Sequence, residues 1–263
     1  MNFFQHIVFK SDFFFGKGTS GEVVRRYGWR PFMDTLWAAV ADKKADSRPS
    51  RAPRGMIWAK QVQTSIKWIS AFLKNTPDKL MRTWSYEAFH SDGSDMIMTL
   101  DASPWGLGGA LQLHGVIVAW FTSPLTRHDQ RIHRRRIGSA KGQQTWECLC
   151  FLVALRAWQH YWADQRLTIT IRSDNIGALF MGAQMHSKAS PIISKEIALL
   201  YSETSFEPRR FDHIPGIANW MADELSRLCE PDSPGTVPED LMNIEPTFIP
   251  VRIQSFYKVL TTA

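Results

Sequence analysis

The stretch from Gln143 to Trp162 constrains this chain most: it is apolar nearly all round at helical spacing, and between Lys141 and Arg156 its one charged side chain is Glu147. Such a helix has no face to offer water, so it must be covered on several sides, as when it packs against a sheet and further helices. An ionised carboxylate inside it costs several kcal/mol unless it is paired or metal-bound. A neighbouring arginine would satisfy Glu147, and so would a cation shared with other carboxylates.

The flanking pattern supplies the sheet. Met96 to Leu100 is a short apolar run suited to a buried strand. Gly106 to Leu113 and Val116 to Phe121 flank His114-Gly115, a two-residue hairpin signal. Leu167 to Ile171 alternates Leu-Thr-Ile-Thr-Ile, a strand, and Arg209 to Ile214 reads as another. Helical patterns lie at Ile176 to Met185 and Ile192 to Tyr201, and Asn219 reads as the cap of a last helix running to about Leu228. The resulting order is β-β-β-α-β-α-α-β-α, an antiparallel meander followed by a crossover helix to another strand. That is an α/β fold spanning residues 95–228.

Before it, residues 1–90 read as a smaller, mainly helical segment. Phe32, Leu36, Trp37 and Val40 share one face, and Trp58, Val62, Ile66, Ile69 and Leu73 recur at helical spacing. Between them, residues 42–55 are charged and punctuated by proline, as a basic linker would be. Residues 229–263 hold five prolines, Pro231, Pro234, Pro238, Pro246 and Pro250, and read as a mostly irregular tail. At 263 residues the chain is long enough for one full domain and a smaller one.

A net charge of +6 and a pI near 9.3 suit a nucleic-acid partner without requiring one. Cys148, Cys150 and Cys229 form no CxxC pair, which speaks against a zinc site or a disulfide framework and for an intracellular, reducing setting. The Phe-rich start is broken by Lys10 and Asp12 and lacks the continuous apolar core of a secretion signal, and no run is long enough to span a membrane.

Four acidic residues fall in places of interest. Asp101 ends the first strand, Glu147 lies in the buried helix, Asp174 follows the strand Leu167 to Ile171, and Asp223 lies in the final helix off its apolar face. Each has an ordinary reading: strand-end aspartates commonly serve turns or caps, and Asp223 could pair with Arg227 at i,i+4. Together they suit two-metal phosphodiester hydrolysis, in which carboxylates hold two Mg²⁺ ions. One ion activates water and the other stabilises the leaving 3′ oxygen. This reading expects the carboxyl groups of Asp101, Glu147 and Asp174 within about 6–8 Å of one another, the reach of two ions roughly 4 Å apart, with Asp223 nearby.

The motifs themselves resemble a known family. Leu100-Asp101-Ala102-Ser103-Pro104-Trp105-Gly106-Leu107-Gly108-Gly109-Ala110-Leu111 resembles the "TDAS.WG.GG.L" opening of retroelement ribonuclease H domains. Gln144-Thr145-Trp146-Glu147 resembles the segment bearing their catalytic glutamate, and Ser173-Asp174-Asn175 with Ala178-Leu179 their "DN..A" motif. His213-Ile214-Pro215-Gly216-Ile217-Ala218-Asn219-Trp220-Met221-Ala222-Asp223-Glu224-Leu225-Ser226-Arg227 resembles the closing "HIPG..N..AD.LSR". The motifs occur in the family's order. Gly28 to Phe32, Trp37 to Ala39 and the region around Trp68 loosely resemble the connection that precedes the nuclease in such polyproteins.

The resemblance implies a ribonuclease H-like mixed five-stranded sheet with helices on both faces. It also implies endonucleolytic cleavage of the RNA strand of RNA/DNA hybrids. Asp101, Glu147, Asp174 and Asp223 take the metal-ligand places, for two Mg²⁺ ions with Mn²⁺ as a substitute, and His213 that of a mobile histidine credited with helping product release. Ser103 and Asn175 are candidate substrate contacts that equally suit turns or caps. The polymerase part of the same polyprotein is the expected protein partner, although the paired aspartates of a polymerase site are absent from this sequence.

One departure is a basic stretch before the Glu147 helix: Arg127, Arg131, Arg134, Arg135, Arg136 and Lys141. It reads as a loop, either solvated or gripping the hybrid backbone beside the cut. Leu100 is another, where the family often has threonine. Two other functions compete: a non-catalytic ribonuclease H-like connector or hybrid-binding module, which would not need all four carboxylates, and an integrase- or transposase-like nuclease, from which the closing motif points away.

Overall fold

A computed structural model describes residues 32, 36, 59–73, 94–163, 167–204, 208 and 210–261. The linker expected at 42–55 and most of the connection-like segment lie outside these residues. Of that segment, Phe32 and Leu36 are helical and buried, and helix α1 (Ala59–Leu73) buries Val62 and Ile69, as their spacing predicts, whereas Ile66, expected on the same face, is 50% exposed.

Five strands form one mixed sheet: β1 (Ser94–Ala102), β2 (Gly106–Leu113), β3 (Val116–Pro124), β4 (Leu167–Ser173) and β5 (Arg210–His213), in the order β3-β2-β1-β4-β5. The first three are antiparallel, whereas β4 runs parallel to β1 and β5 parallel to β4. The β2–β3 turn forms because His114 (φ 50°) and Gly115 (φ 81°) both adopt the left-handed conformation that matches the twist of a tight hairpin.

Helix α2 (Arg127–His133) follows β3, and here the structure corrects the loop expected for the basic stretch. Thr126 and Asp129 form a reciprocal capping box, and Arg134 ends the helix at φ 53°. A short 3₁₀ turn, Ala140–Gly142, leads into α3 (Gln143–Ala157), in which every residue from Thr145 to Leu155 is buried. The single helix expected to Trp162 instead breaks at Trp158 and resumes as α4 (Gln159–Trp162). Trp158 is wholly buried, and its indole N–H donates to Thr247 Oγ1 (3.1 Å). Helices α5 (Ile176–Gln184) and α6 (Pro191–Thr204) lie between β4 and β5, and α7 (Trp220–Arg227) follows β5.

The layers follow from the register. Asp101 pairs with Gly108 and Leu100 with Gly109, and paired residues share a face of the sheet. Helix α7 lies on the Asp101–Gly108 face so closely that a Cβ at Gly108 would come within 2.4 Å of Ser226 N. On the opposite face Leu100 and Phe121 meet beside Gly109, and Phe121 packs on Trp158 at the end of α3 (ring centroids 5.2 Å). The fold is therefore α/β and ribonuclease H-like, with helices on both faces of a five-stranded mixed sheet and a helical segment before it.

Beyond Cys229 the backbone is irregular, as the prolines lead one to expect, apart from 3₁₀ turns at Glu239–Leu241 and Gln254–Phe256 and a final turn, α8 (Lys258–Thr261). It nevertheless packs on the domain. Trp120 Nε1 donates to Ile244 O, Leu241 and Tyr257 are wholly buried, and Val259 N donates to the buried Glu196. Arg252, 1% exposed, forms a bidentate ion pair with Asp129 (2.9 Å and 2.9 Å) and also donates to Ser123 Oγ and Pro124 O. The tryptophans and phenylalanines supply much of the core, Trp146, Trp158, Trp162, Phe121 and Phe151 among the largest buried side chains.

Candidate metal centre

Strands β1 and β4 are adjacent and parallel, so the residues at their C-terminal ends emerge at the same edge of the sheet. Asp101 lies there in β1, and Asp174 directly follows β4. Helix α3 packs on β1 and β2 and brings Glu147, in its second turn, to the same place. One carboxylate oxygen from each of the three lies within 4.8 Å of the others. This is tighter than the 6–8 Å expected above.

Asp101 and Glu147 are each 5% exposed, whereas Asp174 opens to solvent. Asp101 Oδ2 accepts a hydrogen bond from Ser226 Oγ (2.7 Å), and its Oδ1 accepts one from Asn219 Nδ2 (3.3 Å). Glu147 Oε1 accepts from Gln143 Nε2 (2.9 Å). Burial is the main cause that pushes the Asp101 carboxyl up to about 7. The Ser226 hydrogen bond opposes it, and the charges of Asp174 and Asp223 add to it. Burial, with the Asp101 charge next, raises Glu147 well above the usual carboxylate range. Carboxylates crowded in this way favour a cation, which would neutralise them and hold them ionised.

The donors are all carboxylate oxygens, the chemistry that hard divalent cations such as Mg²⁺ and Mn²⁺ prefer. Among the described residues this is the only group of three or more His, Cys, Asp or Glu side chains within reach of one ion. Cys148 and Cys150, on the same helix as Glu147, are wholly buried and free, and burial raises both thiols. The residues present fit a metal ion.

Asp223 stands outside the 4.8 Å group. Its Oδ1 accepts from Arg227 Nε (2.7 Å), the i,i+4 pairing that its spacing also allowed, while its charge still acts on Asp101. His213 is exposed, with Nε2 3.0 Å from Asp174 O. The Ser103 hydroxyl is turned into the fold: it accepts from the N–H groups of Trp105 and Gly106 and donates to Ser226 O (2.8 Å). Asn175 caps α5, its Oδ1 accepting from Ala178 N (2.9 Å). For both, the turn and cap reading is the one these bonds support. Of the basic residues, Arg127, Arg131, Arg134, Arg136 and Lys141 are exposed, while Arg135 is half-buried beside Thr145 Oγ1 (3.4 Å).

Three residues of the centre are not among the candidates read from the sequence: Gln143, Asn219 and Ser226. Asn219 holds the N-cap position of α7, as expected, but its side chain makes no capping bond and turns to β1 instead. Gln143 was legible as the residue one helical turn before Glu147, and Asn219 and Ser226 as polar members of the closing motif.

No protein-family model, curated protein or solved structure matches this chain. Among the described residues, no helix is long and apolar enough to cross a membrane.

Proposed function

We propose that this chain is a metal-dependent endonuclease that hydrolyses the RNA strand of RNA/DNA hybrids, as the nuclease part of a retroelement reverse transcriptase. The observation that carries this reading is the convergence of Asp101, Glu147 and Asp174 at one sheet edge, two of them buried. The order of the four motifs and the exposed basic residues leading into α3 support the choice of substrate.

In this reading Asp101, Glu147 and Asp174, together with Asp223, would hold two Mg²⁺ ions, for which Mn²⁺ would substitute. The bound ions supply the activation of an attacking water and the stabilisation of the leaving 3′ oxygen. The protein's own contribution is positional. Burial of Asp101 and Glu147 excludes bulk water from one side of the centre, while Asp174 leaves the other side open to a phosphodiester. His213, exposed beside Asp174, stands where the resemblance puts a histidine that helps the product leave. The arginines of the basic stretch hold the backbone through phosphate oxygens, without reading sequence.

The test is to incubate the full chain with end-labelled RNA/DNA, RNA/RNA and DNA/DNA duplexes, with Mg²⁺ or with a chelator. Cleavage of the RNA in the hybrid alone, abolished by chelation, is the expected result. Asp101→Asn and Glu147→Gln should each lower kcat by more than about 100-fold, since several kcal/mol of charge stabilisation is lost. Binding of the hybrid without metal-dependent cutting would establish the connector reading instead.

A further inference from the structure

Two carboxamides flank the acidic centre in the same manner. Asn219 Nδ2 donates to the β1 carbonyl of Leu100 (3.2 Å) and to Asp101 Oδ1 (3.3 Å). Gln143 Nε2 donates to the β1 carbonyl of Ala102 and to Glu147 Oε1 (2.9 Å). Each amide therefore ties one carboxylate to the backbone of the same strand. The orientation of each amide is fixed, because turning it over would set its oxygen against a carbonyl and a carboxylate. Asn219 is 1% exposed, and both Asn219 Oδ1 and Gln143 Oε1 are buried acceptors that receive no hydrogen bond.

We propose that Asn219 and Gln143 are positioning residues of the metal centre: their N–H groups hold the Asp101 and Glu147 carboxylates where a divalent cation would meet them. The inference rests on the reading of Asp101, Glu147 and Asp174 as metal ligands. The amides act through the ligands and not as ligands.

The experiment is calorimetric titration of Mn²⁺ and Mg²⁺ into the full chain, comparing the wild type with Asn219→Ala, Gln143→Met and Asp101→Asn. Each is paired with a thermal melt and with kcat and KM on the hybrid. Asp101→Asn should abolish cation binding. Asn219→Ala and Gln143→Met should weaken it by about 10- to 100-fold, as for other groups that orient metal ligands, with kcat reduced and the hybrid KM unchanged. Wild-type cation affinity in the folded variants, even with a lowered melting temperature, would make the amides merely structural and overturn the proposal. Should Asn219→Ala fail to fold, Gln143→Met, on the half-exposed first turn of α3, decides alone. A wild-type chain that binds no divalent cation, or an Asp101→Asn chain that binds it unchanged, would refute the metal reading itself and this inference with it.

Discussion

At Asp101 the carboxyl group ordinarily loses its proton near pH 4, but in the fold burial pushes that point up to about 7. Between these values the folded chain holds a proton that the unfolded chain has released, so folding binds protons and metal-free stability should fall as pH rises from about 4 to 7. Glu147 is raised well above its usual value and acts in the same direction, its contribution beginning near the same lower limit. His133 acts in the opposite sense. Burial against Trp146 and Tyr257 lowers it to about 4, so its contribution is lost as pH falls from about 6.5 to 4. The difference between wild type and Asp101→Asn therefore isolates the carboxylate. Thermal melts without metal should show Asp101→Asn more stable than wild type at pH 7.5, with the gap closing towards pH 4. Adding Mg²⁺ should stabilise only the wild type.

Helix α2 shows how one element can serve two purposes. Its buried side holds Asp129, which caps the helix and receives Arg252, while Arg127 and Arg131 remain exposed with Arg134 and Arg136 just beyond. A capped helix fixes these charges relative to Glu147 better than a free loop would. The variant Arg131→Ala, Arg134→Gly, Arg136→Ala removes three exposed charges. Glycine is chosen at position 134 because its φ of 53° strains an L-residue. Hybrid affinity should fall, and the slope of log affinity against log salt should flatten by about two to three, near one per lost phosphate contact. Turnover at saturating hybrid should change little, because the carboxylates are untouched. Equal salt slopes for the two proteins would return the stretch to a solvated surface.

On the scale of the whole molecule, residues 229–261 act as a strap that ties β3, α2 and α6 together. The Arg252–Asp129 pair joins the strap to α2, and Val259 N and Arg156 of α3 both meet the buried Glu196 of α6. Breaking a buried pair leaves a charge without compensation, so Arg252→Met should cost about 3–5 kcal/mol in urea unfolding. Combining it with Asp129→Asn should recover part of that loss, because no lone charge then remains. Additive losses in the double variant would show that the pair is not the unit of stability.

Much of the sheet was legible because periodicity encodes which side of an element is covered. The alternation of Leu167 to Ile171 and the apolar run of Gln143 to Ala157 need no knowledge of their neighbours. The same holds for the acidic centre: a charge that an apolar helix cannot bury alone, two strand-end aspartates and the order of the motifs point to Asp101, Glu147 and Asp174 as one site. Local pattern does not name the partner of a polar group. Asp223 pairs with Arg227 outside the cluster, the Asn219 amide leaves its helix for Asp101, and Ser103 spends its hydroxyl on backbone. Arg252 reaches Asp129 across 123 residues, with no periodic signal at either end. A hydrogen bond or ion pair depends on distance and direction between groups that only packing brings close, so residue type and spacing settled the elements, and tertiary structure alone decided these polar contacts.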